Sequence, residues 1–272
     1  MKKKTKRIII LPVLAALLLA MVIWVIWANT ALELNTIVLT EENLPDSFRG
    51  FRIAHVSDLH DAQIGENHAD LIKMLKDAQP DIIAITGDIV DCNRTNIPLS
   101  LEFAAQAVQI APCYYITGNH ENRLSWTDYH TLEDGLKALG VHVLNDREVM
   151  LTRNGDTLSL VGHKWGKTDK VGELTDHDGY KILLSHQPED FTDYVAGGYD
   201  LVLSGHAHGG QFRLPFIGGL YAPGQGAFPA YDTGVYSEKN TDMVVSRGIG
   251  NSRFPFRFNN RPEVILIVLQ KG

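Results

Sequence analysis

Apolar and polar positions are distributed along this chain in three ways, and each predicts a different kind of element. Near the N-terminus, residues 8–28 carry no charge over 21 positions, which as a helix at about 1.5 Å per residue matches a hydrocarbon core of roughly 30 Å. Trp24 and Trp27 stand near the far end of that run like interfacial anchors. From residue 34 onward, short apolar runs alternate with segments of helical spacing. Runs 34–39, 51–56, 82–86 and 114–117 read as strands, of which 82–86 has the makeup of one buried on both faces. Residues 66–78, 99–109 and 125–139 read as helices, with Pro80 closing the first and Gly140 stopping the last. Beyond residue 140, strand follows strand at 141–144, 148–152, 157–162, 181–184, 200–203, 243–246 and 263–269. The glycine- and aromatic-rich stretch 209–236 is too long for a plain connection and reads as a functional loop. This order predicts an α/β (α+β) chain of two packed sheets with outer helices, organised as a segment 1–30 and one domain over 31–272.

The residues at which the strands stop change the picture from fold to chemistry. In open α/β sheets, ligands sit beyond the carboxyl ends of the strands. Run 82–86 ends at Gly87-Asp88, run 51–56 at Asp58 and His60, and run 114–117 at Asn119 and His120. Run 181–184 ends at His186, and run 200–203 at His206 and His208. Any one of these alone reads as a turn residue or a hydrogen-bonded structural histidine; five successive strand ends of the same kind do not. Carboxylate, imidazole and amide oxygen without sulfur suit Mn²⁺, Fe²⁺ or Zn²⁺ better than calcium. Seven candidate ligands (Asp58, His60, Asp88, Asn119, His186, His206 and His208) are too many for one tetrahedral ion and suit two ions sharing one carboxylate.

These blocks stand as Asp58-Leu59-His60, Gly87-Asp88-Ile89-Val90-Asp91, Gly118-Asn119-His120-Glu121, His186 and Gly205-His206-Ala207-His208. In that order and over about residues 51–210 the chain resembles the calcineurin-like metallophosphoesterase family. The resemblance implies a four-layer αββα sandwich. It implies Asp58, His60, Asp88 and His208 as ligands of one metal, and Asp88 again, Asn119, His186 and His206 as ligands of the other. His120 resembles the family's catalytic histidine, which stabilises the transition state or protonates the leaving oxygen, and Asp91 is expected to orient and charge its imidazole. Glu121 is expected to support the site. Two cations bridged by Asp88 would acidify a water and hold the hydroxide in line with phosphorus. The expected reaction is hydrolysis of a phosphodiester or pyrophosphate, with Mn²⁺ the first choice of metal. The alternatives are a phosphomonoesterase and a catalytically silent metal-binding membrane scaffold.

Residues 208–211 through 253–255 also resemble the membrane-anchored bacterial branch related to UDP-2,3-diacylglucosamine pyrophosphate hydrolases. That likeness implies a lipid-linked or cell-envelope phosphate substrate, which the aromatic residues Phe212, Phe216, Tyr221, Phe228, Tyr231, Phe254 and Phe256 would suit. His163 is expected to line the substrate pocket, and Arg247 or Arg253 to meet a substrate phosphate. His55, His68, His130, His142 and His177 lack partner motifs and are expected to be structural.

Charge narrows the partners. The formal net charge is −7, and five of the 25 basic residues (Lys2, Lys3, Lys4, Lys6 and Arg7) lie at the extreme N-terminus, so the rest of the chain carries about −12. No basic footprint is left for nucleic acid, and the metals explain how an acidic domain binds phosphate. The basic cluster precedes the apolar run and the next basic residue is Arg49, so the positive-inside rule places the N-terminus in the cytoplasm. The expectation is a single-pass, uncleaved anchor in the cell membrane with the catalytic domain outside it, and no obligate protein partner. Cys92 and Cys113 form no Cys-x-x-Cys pair, which excludes thiolate zinc and redox motifs and demands no disulfide.

Overall fold

The computed structural model describes residues 2–252 and 254–272, so Arg253, one of the expected phosphate contacts, lies outside the described residues. Two six-stranded mixed sheets form the centre. The first runs in the order β1 (Glu33–Glu41), β16 (Glu263–Lys271), β2 (Arg52–Val56), β3 (Ile82–Ile85), β4 (Cys113–Tyr115) and β5 (His142–Val143). The second runs β14 (Gly234–Glu238), β15 (Thr241–Val245), β9 (Leu201–Ser204), β8 (Lys181–Ser185), β7 (Asp156–His163) and β6 (Arg147–Arg153). Strands β2 to β5 are mutually parallel, as are β7, β8, β9 and β15, so each sheet sends its parallel strands' C-terminal loops to one edge.

The period-two alternation of strand side chains sorts the apolar residues into layers. Ile82 and Ala84 of β3 pack with Leu158, Leu160, Ile182, Leu184, Leu201 and Leu203 between the sheets. Ile83 and Ile85 point the other way, into a cluster with α2 (Ala69–Ala78), α3 (Ile97–Ala107) and α4 (Trp126–Ala138). On the far side, Leu183, Val202, Met243 and Val245 pack with Phe191, Tyr194 and Val195 of α5 (Phe191–Ala196). The result is the αββα sandwich, and the unbroken apolar runs reflect strands covered on both faces.

Differences from expectation have local causes. The helix expected at 66–78 begins at Ala69, because Asn67 and His68 take φ of +52° and +60° and break the turn before it. Asn96 caps α3 by accepting from the Leu99 N–H, which starts that helix ahead of its apolar spacing. Stretch 209–236 is not one loop. It folds into two miniature hairpins, β10 (Arg213–Leu214) with β11 (Gly218–Gly219) and β12 (Tyr221–Ala222) with β13 (Gly226–Ala227), and reaches into β14. Helix α5 is too short to show a period and was not expected.

Helix α1 (Lys2–Thr30) contains an apolar stretch, Pro12–Thr30, of mean hydropathy 2.2, long and apolar enough to cross a membrane. Its end is docked on the domain: Ala28 is buried, Asn29 Nδ2 donates to Arg257 O at 3.0 Å, and Arg257 N–H donates to Asn29 Oδ1 at 2.6 Å. Cys92 and Cys113 are both free thiols.

Candidate metal centre

The loops after β2, β3, β4, β8 and β9 meet at one edge of the sandwich. Asp58, His60, Asp88, His206 and His208 all take positive φ there, between +48° and +67°. Non-glycine residues rarely adopt this left-handed region, and such strain persists only where the surroundings enforce it. The enforcers are buried carboxylates. Glu121 accepts from the backbone N–H groups of Asp88 (2.9 Å), Ile89 (2.8 Å) and Gly118 (2.8 Å), tying the β3 loop to the β4 loop. Asp58 accepts from Ser57 Oγ at 2.6 Å and from the His206 N–H at 3.1 Å, tying the first sheet to the second. Gly87 is required where β3 turns: its φ is +89°, and a Cβ there would lie 2.5 Å from Gly118 N.

Side chains from these loops converge in two groups that share a region. Asp58, His60 and His208 direct ligand-type atoms at one point, and Asp88, His186 and His206 at another. His60 Nε2 lies 3.2 Å from His208 Nε2, and His208 Nε2 lies 3.4 Å from Asp58 Oδ1. Atoms bound at about 2.1 Å to a common cation sit roughly this far apart. Asp88 Oδ2 stands between the groups, 3.6 Å from His60 Nε2 and 3.3 Å from His186 Nε2.

Two details test whether this donor set fits a cation. His186 Nδ1 lies 2.6 Å from the Thr86 carbonyl, so Nδ1 carries a proton and Nε2, which faces Asp88, is the nitrogen that would offer its lone pair to a cation, the support usual for a metal-binding histidine. The Asn119 amide oxygen faces only acceptors, Asp88 Oδ2 at 3.2 Å and His206 Nδ1 at 2.8 Å, while its nitrogen faces the Arg123 guanidinium. In the bare chain, rotating that amide would convert these contacts to hydrogen bonds. A cation makes the present orientation of the oxygen the satisfied one, and the exposed Arg123 side chain is free to adjust. The residues therefore fit divalent metal, and all seven expected ligands lie in this cluster.

The electrostatics agree. Burial opposes charge on His186, but Asp88 and Asp58 outweigh it and raise its pKa to about 10. Burial also opposes charge on Asp88, but His186, His60 and His120 prevail and hold its carboxyl well below the usual carboxylate range. Burial and then repulsion from Asp88 push Glu121 up to about 7. Positive charge is in demand at this cluster, and cations would supply it.

His120 lies edge-on to His60, ring centroids 4.4 Å apart. Its Nδ1 accepts the Cys92 backbone N–H at 3.1 Å, and its Nε2 is 3.0 Å from Ser252 Oγ. Burial lowers its pKa to about 4, so the ring is neutral with its proton on Nε2. The Asp91 carboxylate stands 3.5 Å from the same Nδ1, and its hydrogen bonds go to Asn93 N–H and the Arg94 guanidinium.

A cavity of about 610 Å³ opens over this cluster, lined by Asp88, Asn119, His120, His206 and His208 and rimmed by Arg94, Arg123, Tyr221, Ser252 and Phe254. Arg94, Arg123 and Ser252 carry no motif in the sequence; Arg123 follows His120 by three residues in the same turn, the one local signal available. Trp165, likewise without a motif, walls the second group, 4.8 Å from the His206 ring. His163 does not line this cavity. It borders a separate depression with Asp146 and Lys164, its Nε2 3.0 Å from Lys167 O. Arg247 is turned away as well, paired to Glu263 at 2.6 Å and Glu33 at 3.2 Å. His55 and His68 bond Thr86 Oγ1 and Leu99 O inside the fold, and His130 and His142 stack on Trp126 and Tyr114.

A family model described as calcineurin-like phosphoesterase matches residues 51–210. The chain is 33% identical over 262 residues to the uncharacterized metallophosphoesterase YkuE of Bacillus subtilis, across 88% of this chain and 87% of that one. It is 27% identical over 234 residues to the phosphodiesterase YaeI of Escherichia coli, across 82% and 84%. It is 28% identical over 258 residues to a transmembrane protein with metallophosphoesterase domain from Danio rerio, across 85% of this chain and 56% of that one.

Proposed function

The chain belongs to the calcineurin-like phosphoesterase family, and from that premise we propose that it hydrolyses a phosphodiester or pyrophosphate bond with two divalent cations held at the strand ends. One observation carries the reading: two converging donor groups meet at a single carboxylate oxygen, Asp88 Oδ2. Asp58, His60, Asp88 and His208 would hold one cation, and Asp88, Asn119, His186 and His206 the other. Mn²⁺ is the first choice for such nitrogen and oxygen donors, with Fe²⁺ or Zn²⁺ as alternatives. When bound, the pair supplies charge neutralisation and an acidified water.

The chain's own groups do the rest. Arg94 and Arg123 at the cavity mouth attract the non-reacting phosphate oxygens. His120, neutral with its proton on Nε2, donates toward the leaving oxygen, and Ser252 Oγ marks where an acceptor sits. Helix α1 is read as a single-pass anchor in the cell membrane with the basic tip in the cytoplasm and the domain 31–272 outside, a reading supported by the apolar stretch and the transmembrane relative. The substrate class is a lipid-linked or cell-envelope phosphate ester. The test is turnover of a chromogenic phosphodiester and its matched monoester by Mn²⁺-loaded full-length protein. Diester turnover should exceed monoester turnover and fall about 1,000-fold or more in Asp88→Asn. An unchanged rate in that variant would refute the assignment.

A further inference from the structure

We propose that the rim of the cavity is a second membrane contact: Phe216, Ile217 and Phe228 enter the leaflet that holds the end of α1. On that placement, and resting on the phosphoesterase reading above, the cavity takes its phosphoester from lipids of the same leaflet.

A continuous line of aromatic rings carries the argument. Trp24 of α1 packs edge-on against Phe258 at 4.9 Å. Phe258 bridges to Phe212, and Phe212 packs on Phe254 and Phe256, each at 5.4 Å. Phe254 lines the cavity. The anchor and the mouth of the site are thus joined by ring contacts and one backbone bridge.

The level at which they meet matters more. Trp24 stands six residues before the end of α1 at Thr30, or about 9 Å of helix, inside the apolar stretch Pro12–Thr30. Phe258, bridged to the rim through Phe212, therefore touches the anchor at a depth that the apolar stretch assigns to the membrane. Asn29 clamps this geometry through both backbone groups of Arg257, and the Arg261 guanidinium stacks over Trp27 at 4.7 Å, a cation at headgroup level.

The residues beyond this line are apolar and unpacked. Phe216 is fully exposed, Phe228 is 70% exposed and Ile217 is 59% exposed. Phe216 and Phe228 also take φ of +67° and +52°, a conformation that bulky side chains avoid. The backbone is held in an unfavourable region while the rings face outward. Tyr231 supplies the contrast, packing inward on Phe191 and Tyr236. A bilayer is the occupant this surface fits, because the hairpin that carries Phe216 and Ile217 starts at Arg213, whose N–H donates to Phe258 O, and Phe258 packs on Trp24 of the apolar helix α1, where Ile23 and Ile26 are exposed.

The test uses full-length protein in vesicles of phosphatidylcholine and phosphatidylglycerol. Phe216→Cys and Phe228→Cys are made singly in a Cys92→Ser background, with the fully buried Cys113 left in place, and labelled with a fluorophore quenched by brominated acyl chains. Lys239→Cys, in the turn before β15 at the edge opposite the site, is the control. Quenching at 216 and 228 but not at 239 is expected; equal and weak quenching at all three, or shielding by a second copy instead of lipid, overturns the membrane contact. In Phe216→Ser/Ile217→Ser, hydrolysis of a diacylglyceryl p-nitrophenyl phosphate in the vesicles should fall about tenfold, with soluble bis(p-nitrophenyl) phosphate turned over as before. Equal loss on both substrates, or on neither, overturns the lipid substrate. Inactivity of the unmodified protein on both esters would instead remove the phosphoesterase reading, and the quenching would still decide the rim.

Discussion

The Cys92 backbone N–H donates to Nδ1 of His120 at 3.1 Å, and this one bond selects which ring nitrogen carries the proton. With Nδ1 accepting, the proton is on Nε2, aimed into the cavity at Ser252. The Asp91 carboxylate, expected to orient and charge this ring, stands 3.5 Å from the same nitrogen.

That distinction separates two substitutions. His120→Ala should lower kcat on a phosphodiester by about 100- to 1,000-fold, the usual range for a lost hydrogen-bond donor to a developing negative oxygen, while elemental analysis still finds two metals per chain. Asp91→Asn should cost less than about tenfold, because its carboxylate holds Arg94 and Asn93 and leaves the ring in place. Equal losses in the two variants would restore Asp91 as the orienting group.

Glu121 acts through the backbone. Its carboxylate meets four buried amide N–H groups from two loops, those of Asp88, Ile89, Val90 and Gly118, and Glu121→Ala would leave all four without that acceptor. Each such loss costs roughly 1–3 kcal/mol, so the variant should be destabilised by about 3 kcal/mol or more. Urea denaturation checks this as a lower midpoint at unchanged slope. Glu121→Gln keeps one accepting oxygen and should fall between the two.

Metal stoichiometry reads the two donor groups separately. Two equivalents should bind per chain. His208→Ala should weaken one, His206→Ala the other, and Asp88→Asn both, because Asp88 Oδ2 lies between the groups, 3.6 Å from His60 Nε2 and 3.3 Å from His186 Nε2. Chelation should abolish activity and lower the melting temperature, since ions that bind the folded chain alone stabilise it by mass action. A single equivalent in the unmodified protein would contradict the shared carboxylate.

What was legible in advance followed from short-range pattern. Strands such as β3 show as apolar runs because both faces are covered, and the ligands show because each sits where such a run stops. What was illegible depends on distant partners. Arg247 looked free to bind phosphate because Glu33, its partner, is 214 residues away in the chain. His163 sits at the end of β7, where the pattern of the other strand ends pointed, but the following turn closes on it through Lys167 O. Nothing local to Asn29 announces Arg257, 228 residues on. The Cys92 N–H that meets the His120 ring was equally hidden, because a sequence names side chains and leaves backbone donors unmarked.

Glu41, far from the metal cluster, gives a prediction about stability alone. It closes β1 opposite Lys271, is buried, and leaves its Oε1 without a hydrogen-bond partner. Burial, then repulsion from Asp242 and Asp200, raises its pKa to about 7. The folded chain therefore holds this proton across a window, between about pH 4.5 and 7, in which the unfolded chain has released it. Protons bound by the folded state stabilise it, so the contribution is full below that window and is lost as pH rises through 7. Glu41→Gln keeps the shape and removes the titration. Its stability relative to the unmodified protein should thus rise from pH 5 to pH 8 by about 1–2 kcal/mol, after discounting for partial solvation. Denaturation midpoints across that range measure the difference, and a gap independent of pH would show that Glu41 stays ionised in the folded state.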